Sequence, residues 1–580
     1  MNLDLRDGPG TELGQKIGMP MSRDRLIVRL FWLALLLLVP PALIISDVVP
    51  ATFIAGLGDL WNLFNRMWPP DIYEPARLLR LLWETFLIAV AGTFIAVVLS
   101  IPLAFLAARN TTPAPWISGA SRAVITVTRA IPDLIFAIIL VRVLGLGPLP
   151  GALALGLHSI GMLGKLFSDA IEETDPSPIE ATYSLGASKL QAIATSVFPQ
   201  VLPQFIGTSL YRLDINLRMS PVLGFVGAGG IGFELQGTLR QIRYDRGLTV
   251  IVMILLLIVI VERASSAIRQ SILTGGGNGA AAAGLPGWVS SMLYRRESDA
   301  GAREELPDEP DIDVGTSGKR RRSIRIPWTR RRFGNTAAAV GLITLVVASF
   351  FSLNIDMADA WRRLPEFFDM LASMWPPDFS DPGSWMSATF ESIMIAVAGT
   401  FLGVIITLPF AFFGAKNVTG SRVLYNSARY GVVLVRGVPE LIMAVIFVAA
   451  VGLGPFAGVM ALAIGTIGLS GKLIMDSIEG ASPPPLEAIT SAGGTRTQVA
   501  SVGITPQVVP SMIGVILYQL DINIRASVIL GIVGAGGVGF ILLNSIRALH
   551  YQRALAMLIV IFLVVYAIER LATWIRGYFI

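Results

Sequence analysis

The chain has 580 residues, of which 53% are hydrophobic and only 15% are charged, whereas soluble domains are about 25% charged. It contains no cysteine, which excludes thiolate catalysis, disulfide bonds and cysteine metal sites. The net charge of +5 is typical of the lysine and arginine excess in cytoplasmic loops of membrane proteins, so no nucleic acid partner is expected.

Repeated apolar stretches of about 20 residues, each long enough to cross a bilayer core of roughly 30 Å, predict an all-α polytopic protein surrounded by membrane lipid. The first stretch, residues 26–46, is long, contains Pro40 and Pro41 and lacks an A-x-A cleavage site. We therefore expect a retained span and not a signal peptide.

An internal repeat organises the whole chain. The tripeptide WPP at 68–70 recurs at 375–377, and Glu262-Arg263 recurs as Glu569-Arg570, each at an offset of 307 residues. No gap is needed between these landmarks, so two copies of one fold are fused head to tail. We predict a first repeat at 1–270, a linker at 271–332 and a second repeat at 333–580. The two histidines, His158 and His550, do not occupy matching positions.

The first half predicts about six spans, at residues 26–46, 83–108, 123–144, 149–167, 201–223 and 248–268. Their copies give about twelve transmembrane helices in all. Because six is even, both halves enter the membrane from the same side and form parallel repeats around a central pathway. The basic residues Arg23, Arg25 and Arg29 before the first span predict that both termini are cytoplasmic.

Two charged segments lie outside the spans. Residues 275–332 are rich in Gly and Ala, then acidic, then basic, which predicts a disordered cytoplasmic tether. The loop between spans five and six is basic on the face assigned as external, where Arg240, Arg243 and Arg246 are matched by Arg547, His550 and Arg553. Either the topology is misassigned there, or Arg240, Arg243, Arg547 and Arg553 attract an anion to the outer mouth.

Nucleotide-binding patterns are weak. Residues 227–232, GAGGIG, satisfy GxGxxG but follow a membrane span that carries charges, and the Gly-Lys pair at 164–165 lacks the rest of a phosphate loop. We therefore expect no ATP site, no cofactor and no metal in this chain.

A segment between spans four and five is repeated with its spacing intact. Glu180-Ala181, Gly186 and Pro199 recur as Glu487-Ala488, Gly493 and Pro506. Small residues and a glycine let a short helix bend and approach a partner closely, and the proline restarts the chain toward the next span.

This spacing resembles the EAA loop of ABC-importer permeases, the coupling helix that docks on the ATP-binding subunit. The strings HSIGMLGK (158–165), FPQVLPQ (198–204), YRLDINLR (211–218) and VGAGGIGFEL (226–235) resemble the phosphonate-transport permease family more specifically. The second copy departs from the first where Gly465-Thr466 stands opposite His158-Ser159.

The resemblance implies a type I ABC-importer permease fold in the bacterial cytoplasmic (inner) membrane. It implies two ATP-binding subunits at the cytoplasmic face, contacting Glu180, Ala181, Gly186 and their copies Glu487, Ala488 and Gly493. An external substrate-binding protein would deliver a small anion, namely phosphonate, phosphate or phosphite. A permease of this kind performs no covalent chemistry and is not an enzyme.

Charges within the apolar spans occur as pairs four residues apart, which places both members on one helix face. We expect each pair to neutralise itself. The pairs are Arg129/Asp133, Lys165/Asp169, Asp214/Arg218, Arg436/Glu440, Lys472/Asp476 and Asp521/Arg525.

The pair Asp214/Arg218 is also a pathway candidate, because Arg218 lies 15 residues after Pro203, or about 22 Å along a helix. A planar guanidinium suits a phosphorus oxyanion. The glycine string after it either offers backbone N–H groups to an anion or packs closely at a bend. The predicted pathway residues are Asp214, Asn216, Arg218, Gly227, Gly229, Gly230, Asp521, Asn523, Arg525, Gly534, Gly536 and Gly537.

Prolines 102, 132, 409 and 439 lie within spans two and three of each half, where they shape the helices around the cavity. Two rival functions remain open. A secondary transporter would share the six-plus-six repeat but need a proton or sodium site, and a membrane phosphatase would need a catalytic histidine or metal cluster.

Overall fold

The computed structural model describes residues 33, 37–273, 330–355 and 357–579. Within these ranges every regular element is a helix. Arg23, Arg25 and Arg29, and linker residues 274–329, lie outside the described residues.

The described part of the first half forms eleven helices, with a short π-helical segment, Ile193–Val197, between the eighth and ninth. They are α1 (Leu37–Ile45), α2 (Pro50–Met67), α3 (Pro75–Ala107), α4 (Pro115–Ala130), α5 (Asp133–Leu144), α6 (Pro148–Glu172), α7 (Pro176–Ser184), α8 (Lys189–Ala192), α9 (Phe198–Gly224), α10 (Ile231–Arg240) and α11 (Tyr244–Leu273).

The second half repeats this order, and most of its helices begin 307 residues after their counterparts. They are α12 (Arg330–Ser352), α13 (Met357–Arg362), α14 (Leu364–Ser373), α15 (Pro382–Phe413), α16 (Arg422–Gly437), α17 (Glu440–Val451), α18 (Pro455–Glu479), α19 (Pro483–Ser491), α20 (Arg496–Gln498), α21 (Thr505–Ile532), α22 (Val538–Arg547) and α23 (Tyr551–Phe579). The exact limits of the two repeats and the linker remain a prediction.

The all-α polytopic prediction is confirmed. In the described ranges, seven helices are long and apolar enough to cross a membrane, or up to ten if each bent helix pair counts as one span. Two more of the predicted twelve spans correspond to helices that are shorter or less apolar. One is α9, which carries Arg212, Asp214 and Arg218, and the other is α12, whose apolar part is Val340–Ser352.

The prediction of one continuous span at 123–144 is wrong. Helices α4 and α5 meet at 88°, because Pro132 has no N–H to donate and forces Ile131 out of the helical region, to φ −84° and ψ 121°. The same 88° bend separates α16 and α17 at Pro439. Pro102 and Pro409 lie inside the unbroken helices α3 and α15.

Helices α3 and α6 form the tightest pair of the first half because small residues line their contact. A Cβ atom on Gly92 would come within 2.7 Å of Leu155, and one on Gly156 within 2.9 Å of Ile95. Gly399 meets Leu462 in the same way in the second half. Glycines at such crossings let membrane helices approach closely.

The two halves share one hydrophobic core, which contains Leu134 and Leu217 of the first half and Ile442 and Leu530 of the second. Each half also sends a preceding helix across to the other. Helix α2 packs against α17, and α14 packs against α5. A central region bounded by both halves follows from this exchange.

Candidate functional site

The predicted coupling segments form two short exposed helices, α7 and α19, neither of which contains a buried residue. Glu180, Ala181, Glu487 and Ala488 are all exposed. Each helix is followed by a glycine with φ of +83°, Gly186 or Gly493, the left-handed conformation that favours glycine at a helix end.

Hydrogen bonds hold helix α7 near both of its ends, although none of its residues is buried. The Asp175 carboxylate accepts hydrogen bonds from the backbone N–H and the hydroxyl of Ser177, at 2.9 and 2.8 Å, and these bonds lower its pKa. Thr182 and Ser196 hydroxyl groups lie 2.6 Å apart. These hydrogen bonds therefore fix the position of α7 and leave Glu180 exposed.

Four of the six predicted ion pairs form as expected. Arg218 Nη2 lies 2.9 Å from Asp214 Oδ2 and 3.4 Å from Glu262, and Arg525 pairs with Asp521. The ammonium groups of the Lys165/Asp169 and Lys472/Asp476 pairs lie 2.5 and 2.6 Å from their carboxylates.

The predicted pairs Arg129/Asp133 and Arg436/Glu440 are wrong. The 88° bends separate their members, so the four-residue spacing no longer places them on one helix face. Arg129 instead pairs with Glu569 of the second half. Among the described residues, no ion pair joins Arg436 to Glu440.

The pathway candidates Asn216 and Asn523 lie between helices. Asn216 is fully buried; its amide donates to Thr93 Oγ1 at 2.9 Å and accepts from Ser159 Oγ at 3.1 Å. Asn523 donates to Thr400 Oγ1 at 2.8 Å. Each asparagine therefore joins three helices through buried hydrogen bonds.

The glycine strings form close-packed turns. Gly227, Gly229 and Gly230 all have positive φ. The N–H groups of Gly230 and Ile231 donate to Glu84 Oε1 and Thr85 Oγ1, at 2.9 and 2.8 Å. Since side chains of α3 already occupy these amides, close packing, and not anion binding, accounts for this part of the turn. The turn from Gly534 to Gly537 repeats the geometry.

Gly232, at the start of α10, gives a matched stability test. A Cβ atom there would lie 1.7 Å from the Pro221 carbonyl oxygen, whereas one on Gly237 of the same helix would have nothing within 4 Å. We expect Gly232→Ala to destabilise the protein by about 1–3 kcal/mol or more, as overpacking does. Thermal unfolding of the purified protein should show a lower Tm for Gly232→Ala and no loss for Gly237→Ala. Equal Tm values would contradict the close packing.

A cavity of about 320 Å³ lies between the two halves. It is lined by Arg240 of α10 in the first half and by Arg547 of α22 in the second, both of which are exposed. Neither Arg243 nor Arg553 is among the described residues that line it. Gly534 also lines this cavity. One predicted pathway glycine and two predicted outer-mouth arginines therefore line the same cavity.

Sequence reasoning missed most of the cavity wall. Gln236 and Tyr244 add polar groups, and Phe225 and Phe540 add apolar surface. Their positions in the sequence could have indicated these wall residues, because they flank the glycine strings of both halves.

The cavity and the predicted coupling helices α7 and α19 lie at opposite ends of the long helices. In the first half, α7 precedes the start of α9 and the glycine turn follows its end. The 27 residues of α9 extend about 40 Å, enough to cross a bilayer. An anion entering at the cavity would therefore be a membrane thickness away from α7.

Comparison with known proteins identifies the family. Residues 100–273 match the family described as binding-protein-dependent transport system inner membrane component. The phosphate-import permease protein PhnE of Mycolicibacterium smegmatis is 43% identical over 92% of this chain and 91% of its own length. The chain belongs to this permease family.

Other relatives agree with the resemblance found in the sequence. The phosphite transport system permease protein PtxC of Stutzerimonas stutzeri is 45% identical over 35% of this permease and 73% of its own length. An inward-facing structure of the MetNI methionine ABC transporter covers 35% of the permease at 22% identity with a TM-score of 0.31, which is too low to carry an argument. The predicted membership of the phosphonate-transport permease family is confirmed.

Proposed function

We propose that this permease imports a phosphorus oxyanion, namely phosphate, phosphite or phosphonate, across the cytoplasmic membrane of a bacterium. An external binding protein delivers the anion, and two separate ATP-binding subunits drive its release inward. The chain itself holds no cofactor, performs no covalent chemistry and has both termini in the cytoplasm. The observation that carries the proposal is the cavity between the halves, lined by one arginine from each.

The cavity suits a small anion in charge and size. Two guanidinium groups focus a positive potential into the space between the halves, and their planar donors match tetrahedral oxyanions. Its volume of about 320 Å³ accommodates such an anion with part of its hydration shell. The similarity to proteins named as phosphate and phosphite permeases supports the same substrate class.

The opposite end of the molecule suits the ATP-binding subunits. The short helices α7 and α19 carry four exposed residues that a docking subunit could contact, namely Glu180, Ala181, Glu487 and Ala488. Movement of the two subunits toward each other would push α7 and α19 together and rock the halves, which alternates access to the pathway.

Uptake of labelled phosphate by cells that express the permease with its ATPase and binding protein tests the proposal. We expect saturable uptake that methylphosphonate or phosphite reduces and that sulfate leaves unchanged. Omission of the ATPase subunit should abolish uptake. Uptake that none of the three phosphorus anions affects would refute the substrate class, and uptake without the ATPase would refute the energy source.

A further inference from the structure

A buried arginine in the first half has far fewer hydrogen bonds than it can make. Arg212 of α9 is only 4% exposed. Its Nε donates to Ser159 Oγ at 2.7 Å, and its Nη1 faces the sulfur of Met162 at 3.3 Å, a weak acceptor. Its Nη2 has no hydrogen-bond partner among the described residues.

The charge of Arg212 is also incompletely compensated. Among the described residues, no carboxylate forms an ion pair with it. Asp133 acts on it electrostatically, but one oxygen of this buried carboxylate accepts the Leu134 N–H at 2.8 Å. A buried guanidinium without a close counter-ion is costly, and an ionisable group within the membrane marks a functional site by default.

His158 precedes Ser159, whose hydroxyl accepts the hydrogen bond from Arg212 Nε. Its Nδ1 lies 3.0 Å from the carbonyl oxygen of Ile131, and a carbonyl only accepts, so Nδ1 carries a proton and Nε2 is the acceptor of the neutral ring. The ring is partly exposed. Asp133 and Arg212 of its own half and Arg525 of the second half act on it electrostatically.

The second half lacks this arrangement at the matching positions. Gln519 replaces Arg212; its amide oxygen accepts from Ser470 at 3.0 Å and its nitrogen donates to Asn523 at 2.9 Å. Gly465 replaces His158, and a Cβ atom on it would lie 2.8 Å from the side chain of Glu440. Glu440 thus fills the space that the imidazole occupies in the first half.

We propose that Arg212, His158 and Arg525 form a single oxyanion-binding site in the pathway, and the positions that match Arg212 and His158 in the second half hold no arginine or histidine to form a copy of it. This inference rests on the proposed function and names the site that the anion meets after the outer cavity. Arg212 Nη2 donates to a phosphorus-bound oxygen, and the anion competes with Asp521 for the guanidinium of Arg525. His158 Nε2 accepts a hydrogen bond from the P–OH group of the monoanion.

The test uses the assembled transporter in proteoliposomes, with radiolabelled phosphate and phosphate-loaded binding protein at saturation. Arg212→Gln introduces the residue that the second half carries. We expect the uptake rate to fall about tenfold or more, because a charge-assisted hydrogen bond is lost. His158→Gly should lower the rate as well. Gln519→Met, the matched change in the second half, should keep the rate.

A purely structural role would give a different result. Because a glutamine at 212 can still donate to Ser159 Oγ, the acceptor that Arg212 Nε uses, we expect Arg212→Gln to keep its Tm and its substrate-independent ATP hydrolysis. A lower Tm together with lost uptake would overturn the proposal, and so would wild-type uptake by Arg212→Gln. Failure of the wild-type transporter to carry any phosphorus oxyanion would instead refute the proposed function.

Discussion

Replacement of Glu180 and Glu487 together by arginine is expected to abolish phosphate uptake. Both carboxylates are exposed near the centres of α7 and α19, where the ATP-binding subunits would dock. Reversed charges at an interface cost several kcal/mol, so we expect the rate to fall about a hundredfold or more. Uptake in cells and pull-down of the ATPase subunit by the tagged permease measure the two effects.

A nearby acidic residue provides the control for this variant. Glu173 is also exposed and follows the end of α6, three residues before α7 begins. Glu173→Arg makes the same single charge reversal outside the coupling helix that Glu180→Arg makes within it, and it should keep uptake and ATPase binding. Equal losses in both variants, or full uptake by the Glu180→Arg/Glu487→Arg double variant, would contradict the assignment of α7 and α19 as coupling helices.

Reversal of the two cavity arginines should have the second largest effect. Arg240→Glu/Arg547→Glu replaces two positive charges in the cavity of about 320 Å³ by two negative ones. An anion would then meet like charges in a confined space. We expect the uptake rate at saturating binding protein to fall by about tenfold or more, with a loss that high salt partly relieves because screening weakens the repulsion.

Arg243 supplies the matched comparison for the cavity. It is exposed, lies three residues after Arg240 and does not line the cavity. Arg243→Glu should therefore reduce uptake much less than Arg240→Glu. If the two single variants behave alike, only the net charge of this surface matters, and the cavity is not the entry site.

Much of this architecture was predictable because the chain contains it twice. The 307-residue offset identifies α18 as the counterpart of α6, and α19 as the counterpart of α7, from the sequence alone. The pairing of Asp214 with Arg218 also followed from spacing, since both lie within one unbroken helix. The spacing of two residues predicts their contact correctly when both residues lie in one unbroken helix.

The remaining features depend on contacts between elements. Prolines are tolerated within membrane helices when neighbours satisfy the freed backbone groups, so the sequence alone predicts a continuous span through Pro132 and not the 88° bend. The pairing of Arg129 with Glu569 joins residues 440 positions apart, which spacing cannot reveal. Arg212 lies within the string YRLDINLR (211–218). Only its buried contacts and its replacement by Gln519 in the second half distinguish it from the other charged residues of that string.

The central claim is that ATP hydrolysis drives a phosphorus oxyanion through this permease, and accumulation in proteoliposomes tests it most directly. The permease, its ATPase and its binding protein would be reconstituted with labelled phosphate, and internal label followed with and without ATP. We predict accumulation above the external concentration only when ATP and both partners are present. Accumulation that follows an imposed proton or sodium gradient without ATP would contradict the account and favour a secondary transporter.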